Sequence, residues 1–330
     1  MEKIAFISGG TFICWSSIIL ALAVVTAVAL YMAFYLARGG KATGMSVAVP
    51  VAMALALILG RLVHWYSRTD AYASFSDAMG LFSPGGYALL GAFAGCLITA
   101  CLLRLVRLIP SVPAMLDAMA FGGCAGIAVG RLASLFNPSD RGVAVADSVG
   151  FPFAYPVVNQ VSGLAENRLA TFMIQSMLAA AILICLLFFL TVQGLRKRKV
   201  RRGDVCLLFL LAYGASQIVC DSTRYDSLYL RSNGFISIVQ IMGLIGMLVP
   251  MIIFSVRMVK AKGFRIWFLL LWLGTAGLLG GAAYMEYYVQ RHGGEAAFAY
   301  TVMSVCLAVS VLLGLVMYAC GGKRKKYYED

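Results

Sequence analysis

The chain has 330 residues, of which 62% are hydrophobic and 12% charged, with a formal net charge of +13. Soluble domains carry about 25% charged residues, so this composition excludes a soluble globular protein and requires a polytopic membrane protein. The Lys and Arg residues stand in short blocks between apolar runs, the pattern that orients membrane proteins and draws them to anionic headgroups; nucleic acid is excluded as a partner.

A span needs about 20 apolar residues to cross the hydrocarbon layer. In chain order, runs of that kind fall at 12–36, 46–66, 86–103, 114–136, 170–193, 205–222, 235–256, 264–284 and 298–319. The predicted fold is an all-α, polytopic transmembrane helical bundle of about nine spans. The first apolar run, Ile13 to Leu36, has 24 residues and no small-residue cleavage site after it. A signal-peptide core has about 7–15, so the run reads as a retained span.

Basic residues follow every second span. Arg38 and Lys41 follow the first, Arg104 and Arg107 the third, and six residues from Arg196 to Arg202 the fifth. Arg257, Lys260, Lys262 and Arg265 follow the seventh, and Lys323 to Lys326 end the chain. The positive-inside rule puts these loops in the cytoplasm, with the N-terminus outside and the C-terminus inside. The outer face then holds the acidic and mixed-charge loops, including a long connection at 137–169 with Pro138, Pro152 and Pro156. Phe151, Phe153 and Tyr155 in that loop fit the headgroup level.

Charged and amide side chains inside such runs need an account, because lipid excludes them. At the end of the fourth span Arg131, Ser134 and Asn137 stand at i, i+3, i+6 on one broad face, either as a snorkelling interfacial group or as one wall of a polar pocket. In the sixth region Tyr213, Gln217, Asp221 and Arg224 read as a polar stripe at i, i+4, i+8, i+11, with Asp221 and Arg224 able to pair. The stripe is either an interhelical seam or a pocket wall. Arg168 and Gln175 are expected on one face of the fifth span, and Gln240 lies deep in the seventh. Arg61, His64 and Tyr66 close the second. Glycines Gly85, Gly86, Gly91 and Gly95 in the third span, and Gly122, Gly123, Gly126 and Gly130 in the fourth, allow two helices to approach closely. The nine cysteines show no CxxC pair and no Cys/His ligand spacing; neither metal nor cofactor is expected.

The order of these signals resembles the bacterial prolipoprotein diacylglyceryl transferases over roughly residues 13–256. It runs through Ile13-Cys14-Trp15, Gly60-Arg61-Leu62, Gly85-Gly86, Gly130-Arg131-Leu132 to Asn137, Arg168, Tyr213-Gly214, Asp221, Arg224 and Ile236 to Gln240. The resemblance implies a domain at 1–256 with two extra spans and a basic tail at 257–330. It also implies transfer of diacylglyceryl from phosphatidylglycerol, or another anionic phospholipid, to the cysteine thiol of a lipobox-containing precursor protein at the outer face of a bacterial plasma membrane. Arg131, Asp221 and Arg224 fall at catalytic positions; Asn137, Arg168, Gln217, Gln240, His64, Gly85 and Gly86 are carried as substrate-binding. Several family positions differ: the functional histidine falls at Leu90, a tyrosine at Ser16, an arginine at Gln217, and the Asn and Glu flanking the principal arginine at Ser134 and Ser139. A Tyr-Glu pair falls near Ile174-Gln175. Leucine cannot move a proton, so a non-catalytic protein that binds phospholipid or a lipoprotein precursor on the same fold is the alternative. A transporter ranks last, because no inverted repeat is evident.

Overall fold

The computed structural model describes residues 4–8, 11–80, 86–137, 140–158, 163–224, 227–230, 233–293 and 295–321. Each of the nine expected spans falls on a helix. These are α1 (Trp15–Ala37), α2 (Ala42–Ser67), α4 (Leu89–Leu105), α5 (Val112–Gly130), α6 (Thr171–Leu195), α7 (Asp204–Ser222), α8 (Ile238–Lys262), α9 (Ile266–His292) and α10 (Ala296–Gly321). Among the described residues eight helices are long and apolar enough to cross a membrane. The exception is α4, whose 17 residues rise about 26 Å against a hydrocarbon core of about 30 Å.

Outside the helices, the described residues form three two-stranded antiparallel hairpins that the hydropathy pattern does not announce. They are β1–β2 (Ile4–Ser8, Thr11–Cys14), β3–β4 (Ala154–Val158, Ala165–Leu169) and β5–β6 (Tyr229–Leu230, Asn233–Ser237). A short helix α3 (Phe75–Met79) follows α2, capped by the Ser74 hydroxyl, which accepts from the Asp77 amide at 3.1 Å. The first span therefore begins at Trp15 and not at residue 12, because β2 takes the residues before it. Arg168 is on strand β4 and not on the fifth span. Arg224 lies beyond the end of α7, so the expected four-residue stripe on one helix shortens to Tyr213, Gln217 and Asp221.

The chain divides into two compact units, one of residues 1–209 with 223–239 and the other of residues 210–222 with 240–330. In the first unit, helices meet where small residues remove side-chain bulk. A Cβ on Gly91 would lie 2.2 Å from the Gly60 amide nitrogen, and one on Gly95 2.8 Å from that of Ala56, which locks α4 against α2. A Cβ on Gly122 would meet the Ala27 carbonyl at 2.3 Å, and one on Gly126 the Ala27 Cβ at 2.8 Å, which locks α5 against α1. The glycines of the third and fourth spans thus serve close packing, but each helix uses them on a different partner. Aromatic and aliphatic groups (Tyr31, Tyr35, Met45, Leu103, Ile109 and Met115) form the buried core at the far end. There the fully buried Asp117 of α5 accepts the amides of Gly203 (2.7 Å) and Cys206 (2.8 Å) and pairs with Arg38 at 3.5 Å. It caps the positive start of α7 from a distant helix.

In the second unit α7 and α8 cross at glycine, with the Gly214 Cβ position 2.5 Å from the Gly243 carbonyl. Tyr213, Gln217, Asp221 and Gln240 are all buried in this unit. Glu286 of α9, a residue of no evident significance in the sequence, is buried and accepts from the Ser222 hydroxyl and the Gln290 amide. Tyr300 of α10 donates to the Ser222 carbonyl at 3.2 Å.

Gly91→Ala is expected to destabilise the protein by about 1–3 kcal/mol, the usual cost of overpacking against unyielding atoms. Gly123→Ala, whose Cβ would meet nothing within 4 Å, is expected to leave the thermal unfolding midpoint in detergent unchanged. Equal midpoints for the two variants would contradict the assigned α2–α4 contact.

Candidate functional site

Between the two glycine-locked pairs, α1–α5 and α2–α4, lies a cavity of about 690 Å³. Its walls are apolar: Leu20, Ala23, Val24 and Ala27 of α1 face Ala52, Met53, Ala56 and Leu57 of α2, with Ala92 and Gly123 from α4 and α5. Along α1 it runs from Ser16 to Tyr31, about 22 Å at 1.5 Å per residue, which exceeds half of the ~30 Å hydrocarbon core. Gly123 and Gly126 leave the α5 wall without bulk. At one end the lining turns polar, with Ser16, Arg131, Ser134, Asn137 and Asp140.

Local structure explains that polar end. The α-helix α5 tightens into a 3-10 turn at Arg131–Leu135, which brings Arg131 and Ser134 to the same side, since residues three apart eclipse in such a turn. The chain returns at Asp140, and residues 142–145 then run beside β4. The Gly142 amide donates to Leu169 O (2.8 Å) and the Val145 amide to Asn167 O (2.9 Å). Asp140 itself has a φ of 58°, the left-handed region that aspartate enters more readily than most residues. Gly142 also bridges Arg224, while the hydroxyls of Thr171 and Thr223 lie 3.2 Å apart. Thus two distant stretches of chain are pinned to one place.

The result is one carboxylate shared by two guanidinium groups. Arg131 Nη1 lies 3.1 Å from Asp140 Oδ2, and Arg224 Nη2 lies 2.7 Å from Asp140 Oδ1. The Ser134 hydroxyl donates to Oδ2 at 3.0 Å. Burial alone pushes the Asp140 carboxyl up, but Arg131 and Arg224, with the Ser134 hydroxyl, outweigh it and hold the group below the usual carboxylate range. Two guanidinium groups thus meet at this one carboxylate, in a place mostly shielded from water. Such a place suits an anionic head whose tails occupy the apolar walls. Arg141, also buried, braces the turn by donating to Ser134 O (2.8 Å) and Asn137 O (3.1 Å) between the rings of Tyr155 and Phe172.

Of the residues singled out in the sequence, Arg131 and Asn137 line this mouth, and Arg224 joins it through Asp140. Arg224 engages Asp140, an acid that the helical stripe does not contain. Arg168 pairs with Glu166 on its own strand. Gln217, Asp221 and Gln240 belong to the second compact unit. Gly85 lies outside the described residues, as do Pro138 and Ser139. Gly86 meets His64, because a Cβ on Gly86 would lie 2.9 Å from His64 Nε2. His64 is half-buried, with its Nδ1 2.7 Å from the Tyr72 hydroxyl. Asp140 stands nine positions after Arg131, and no local spacing ties the two together in the sequence. The signal that could have found it is the glutamate that the family resemblance places at Ser139, one position earlier. Among the described residues no cluster of His, Cys, Asp and Glu could hold a metal ion.

A family model described as prolipoprotein diacylglyceryl transferase matches residues 3–256. The curated protein named phosphatidylglycerol–prolipoprotein diacylglyceryl transferase from Bacillus velezensis is 25% identical over 262 residues, covering 79% of this chain and 93% of its own length. Proteins of the same name from Oceanobacillus iheyensis and Pediococcus pentosaceus are each 27% identical, covering 72% and 76% of this chain and 84% and 90% of their own.

A carboxyl whose folded-state pKa lies below its unfolded value stabilises the fold at higher pH and ceases to do so as pH falls through the folded value. For Asp140 that window lies below the ordinary aspartate value of about 3.9. Asp140→Asn is expected to cost roughly 3 kcal/mol at neutral pH, as for breaking a largely buried ion pair, and to remove this acid-side loss of stability. Thermal unfolding of both proteins from pH 6 to pH 2.5 measures it; parallel curves would contradict the assignment.

Proposed function

Since the chain belongs to the prolipoprotein diacylglyceryl transferase family, we propose that it moves the diacylglyceryl group of phosphatidylglycerol to the cysteine thiol of a lipobox-bearing precursor. The reaction takes place at the outer face of a bacterial plasma membrane. The observation that carries this reading is the Arg131–Asp140–Arg224 cluster at the polar end of an apolar cavity. In the reaction the cysteine sulfur attacks the glycerol carbon that bears the phosphate ester. A C–S bond forms, the C–O bond breaks, and its electron pair leaves on glycerol phosphate; the thiol proton passes to solvent. Negative charge on the phosphate grows from one to two as the bond breaks. Guanidinium groups already fixed beside it lower the barrier because they need no reorganisation. Asp140 serves this arrangement by holding the two arginines at one point, where their mutual repulsion would otherwise part them. Its depressed pKa makes it a poor base.

The basic residues gather at the loops after α1, α4, α6 and α8, which supports a reading in which the Arg131 end of the cavity faces outward. Helices α9 and α10 lie beyond the family match and brace the second unit through Glu286 and Tyr300. Leu90 at the histidine position favours a second reading, a lipid-binding protein that has lost the transfer step.

In membranes supplied with phosphatidylglycerol and a lipobox peptide, diacylglyceryl transfer is expected for the wild type and is expected to fall about 10²–10³-fold in Arg131→Ala, as when a charge-stabilising donor is removed. Arg131→Lys should recover little, because an ammonium cannot make the two-pronged contact. Gly123 lines the cavity and a Cβ there would meet nothing within 4 Å, so Gly123→Phe should abolish phosphatidylglycerol binding in a folded protein. Wild-type binding without transfer supports the non-catalytic reading. Undiminished binding in Arg131→Ala and Gly123→Phe would overturn both.

A further inference from the structure

The cavity-lining positions on α2 are Ala48, Val49, Ala52, Met53, Ala56 and Leu57. Gly60, Arg61 and His64 follow Leu57 at helical steps of three and four, one and two turns past it and beyond the residues that line the cavity. The wall they stand on is otherwise built by Tyr87, Ala88 and Leu89, all of which line the cavity. Arg61 is buried, with its guanidinium 4.8 Å from the Tyr87 ring centroid, and it donates to the carbonyls of Gly80 (3.0 Å) and Gly86 (3.2 Å). It also donates to the Tyr72 hydroxyl oxygen at 3.2 Å, and that hydroxyl is 2.7 Å from His64 Nδ1.

These contacts fix a proton. Arginine has no acceptor to offer, so the Tyr72 oxygen receives from Arg61 and its own O–H must find an acceptor elsewhere. Among the described residues the acceptor within reach is His64 Nδ1. Tyr72 therefore donates to Nδ1, and a neutral imidazole must then carry its hydrogen on Nε2. The Arg61 contact polarises the Tyr72 hydroxyl and strengthens its donation. Nε2 lies where Gly86 has no side chain; any Cβ there would come within 2.9 Å. The glycine leaves room for that edge of the ring.

We propose that His64 is a neutral hydrogen-bond donor, its proton held on Nε2 by Arg61 and Tyr72, which offers that N–H to an oxygen of the lipid head from the α2–α4 wall of the cavity. The assignment rests on the phospholipid reading given above. It makes His64 a group that touches substrate and does not take the thiol proton, and it makes Tyr72 and Arg61 positioning residues. The cysteine then reacts through the few per cent of thiolate present at neutral pH.

The chain has two histidines, His64 and His292. In a His292→Gln background, ¹⁵N-histidine NMR is expected to report Nε2–H and a bare Nδ1 for His64, with that preference lost in Tyr72→Phe. A dominant Nδ1–H form would overturn the proposal. Phosphatidylglycerol binding and diacylglyceryl transfer are expected to fall by up to about a hundredfold in His64→Ala, the scale for one lost donor. His64→Gln places an amide N–H near Nε2 and is expected to restore most of both. Equal loss in the Gln and Ala variants would mean a proton-accepting role and would sink the donor assignment; so would no loss in either. A wild-type protein that binds lipid but transfers nothing defeats the transferase reading, while the tautomer and the binding series still decide the role of His64.

Discussion

A single carboxylate holds two guanidinium groups together where the bilayer would ordinarily keep each of them apart. Arg131 arrives from the end of a spanning helix and Arg224 from a turn nearly a hundred residues later, and both end on Asp140. Partly shielded charges cost several kcal/mol apiece unless they are paired, so three such groups side by side constrain every element that carries them. The 3-10 turn after α5, the left-handed backbone of Asp140 and the strand-like run along β4 all serve that convergence. Arg141 holds the turn in place from behind.

The apolar part of the site has a different origin. Small residues draw α1 to α5 and α2 to α4 until backbones touch, and the space between the two pairs stays open because Ala52, Ala56, Ala92 and Gly123 are too small to fill it. The same residue types therefore close two interfaces and open one cavity. What differs is which face of the helix they occupy. A lipid with two tails and an anionic head matches both halves of the arrangement, the long apolar trough and the positive mouth. His64, Tyr72 and Arg61 form a separate polar group on the α2–α4 side of the same end. A fold so disposed can receive a head group from two walls.

Much of this was legible in the sequence, and the reasons for the rest are physical. Among the described residues hydropathy locates every helix of the nine expected spans, because each must satisfy its own backbone and present apolar side chains to lipid. The importance of Arg131 followed from the cost of a guanidinium in a glycine-rich apolar run. The hairpins escaped notice, since short strands in polar connections have no strong period. Arg168 and Arg224 were assigned to helices because helical spacing was extended past the true ends, which β4 and the turn at Thr223 determine. Asp140 was missed because its partners are brought to it by tertiary structure, and no local spacing encodes that meeting. The partner of His64 is not legible locally, as Tyr72 lies eight residues away across an irregular turn.

In the proposed reaction Arg131 and Arg224 act on the lipid phosphate as one unit through Asp140. A double-mutant cycle on phosphatidylglycerol affinity, with Arg131→Ala, Arg224→Ala and the pair together, tests it most directly. Groups in one network couple by about 0.5–3 kcal/mol, so the double variant should lose clearly less affinity than the two single losses combined. Strict additivity, or an affinity insensitive to either change, would contradict it.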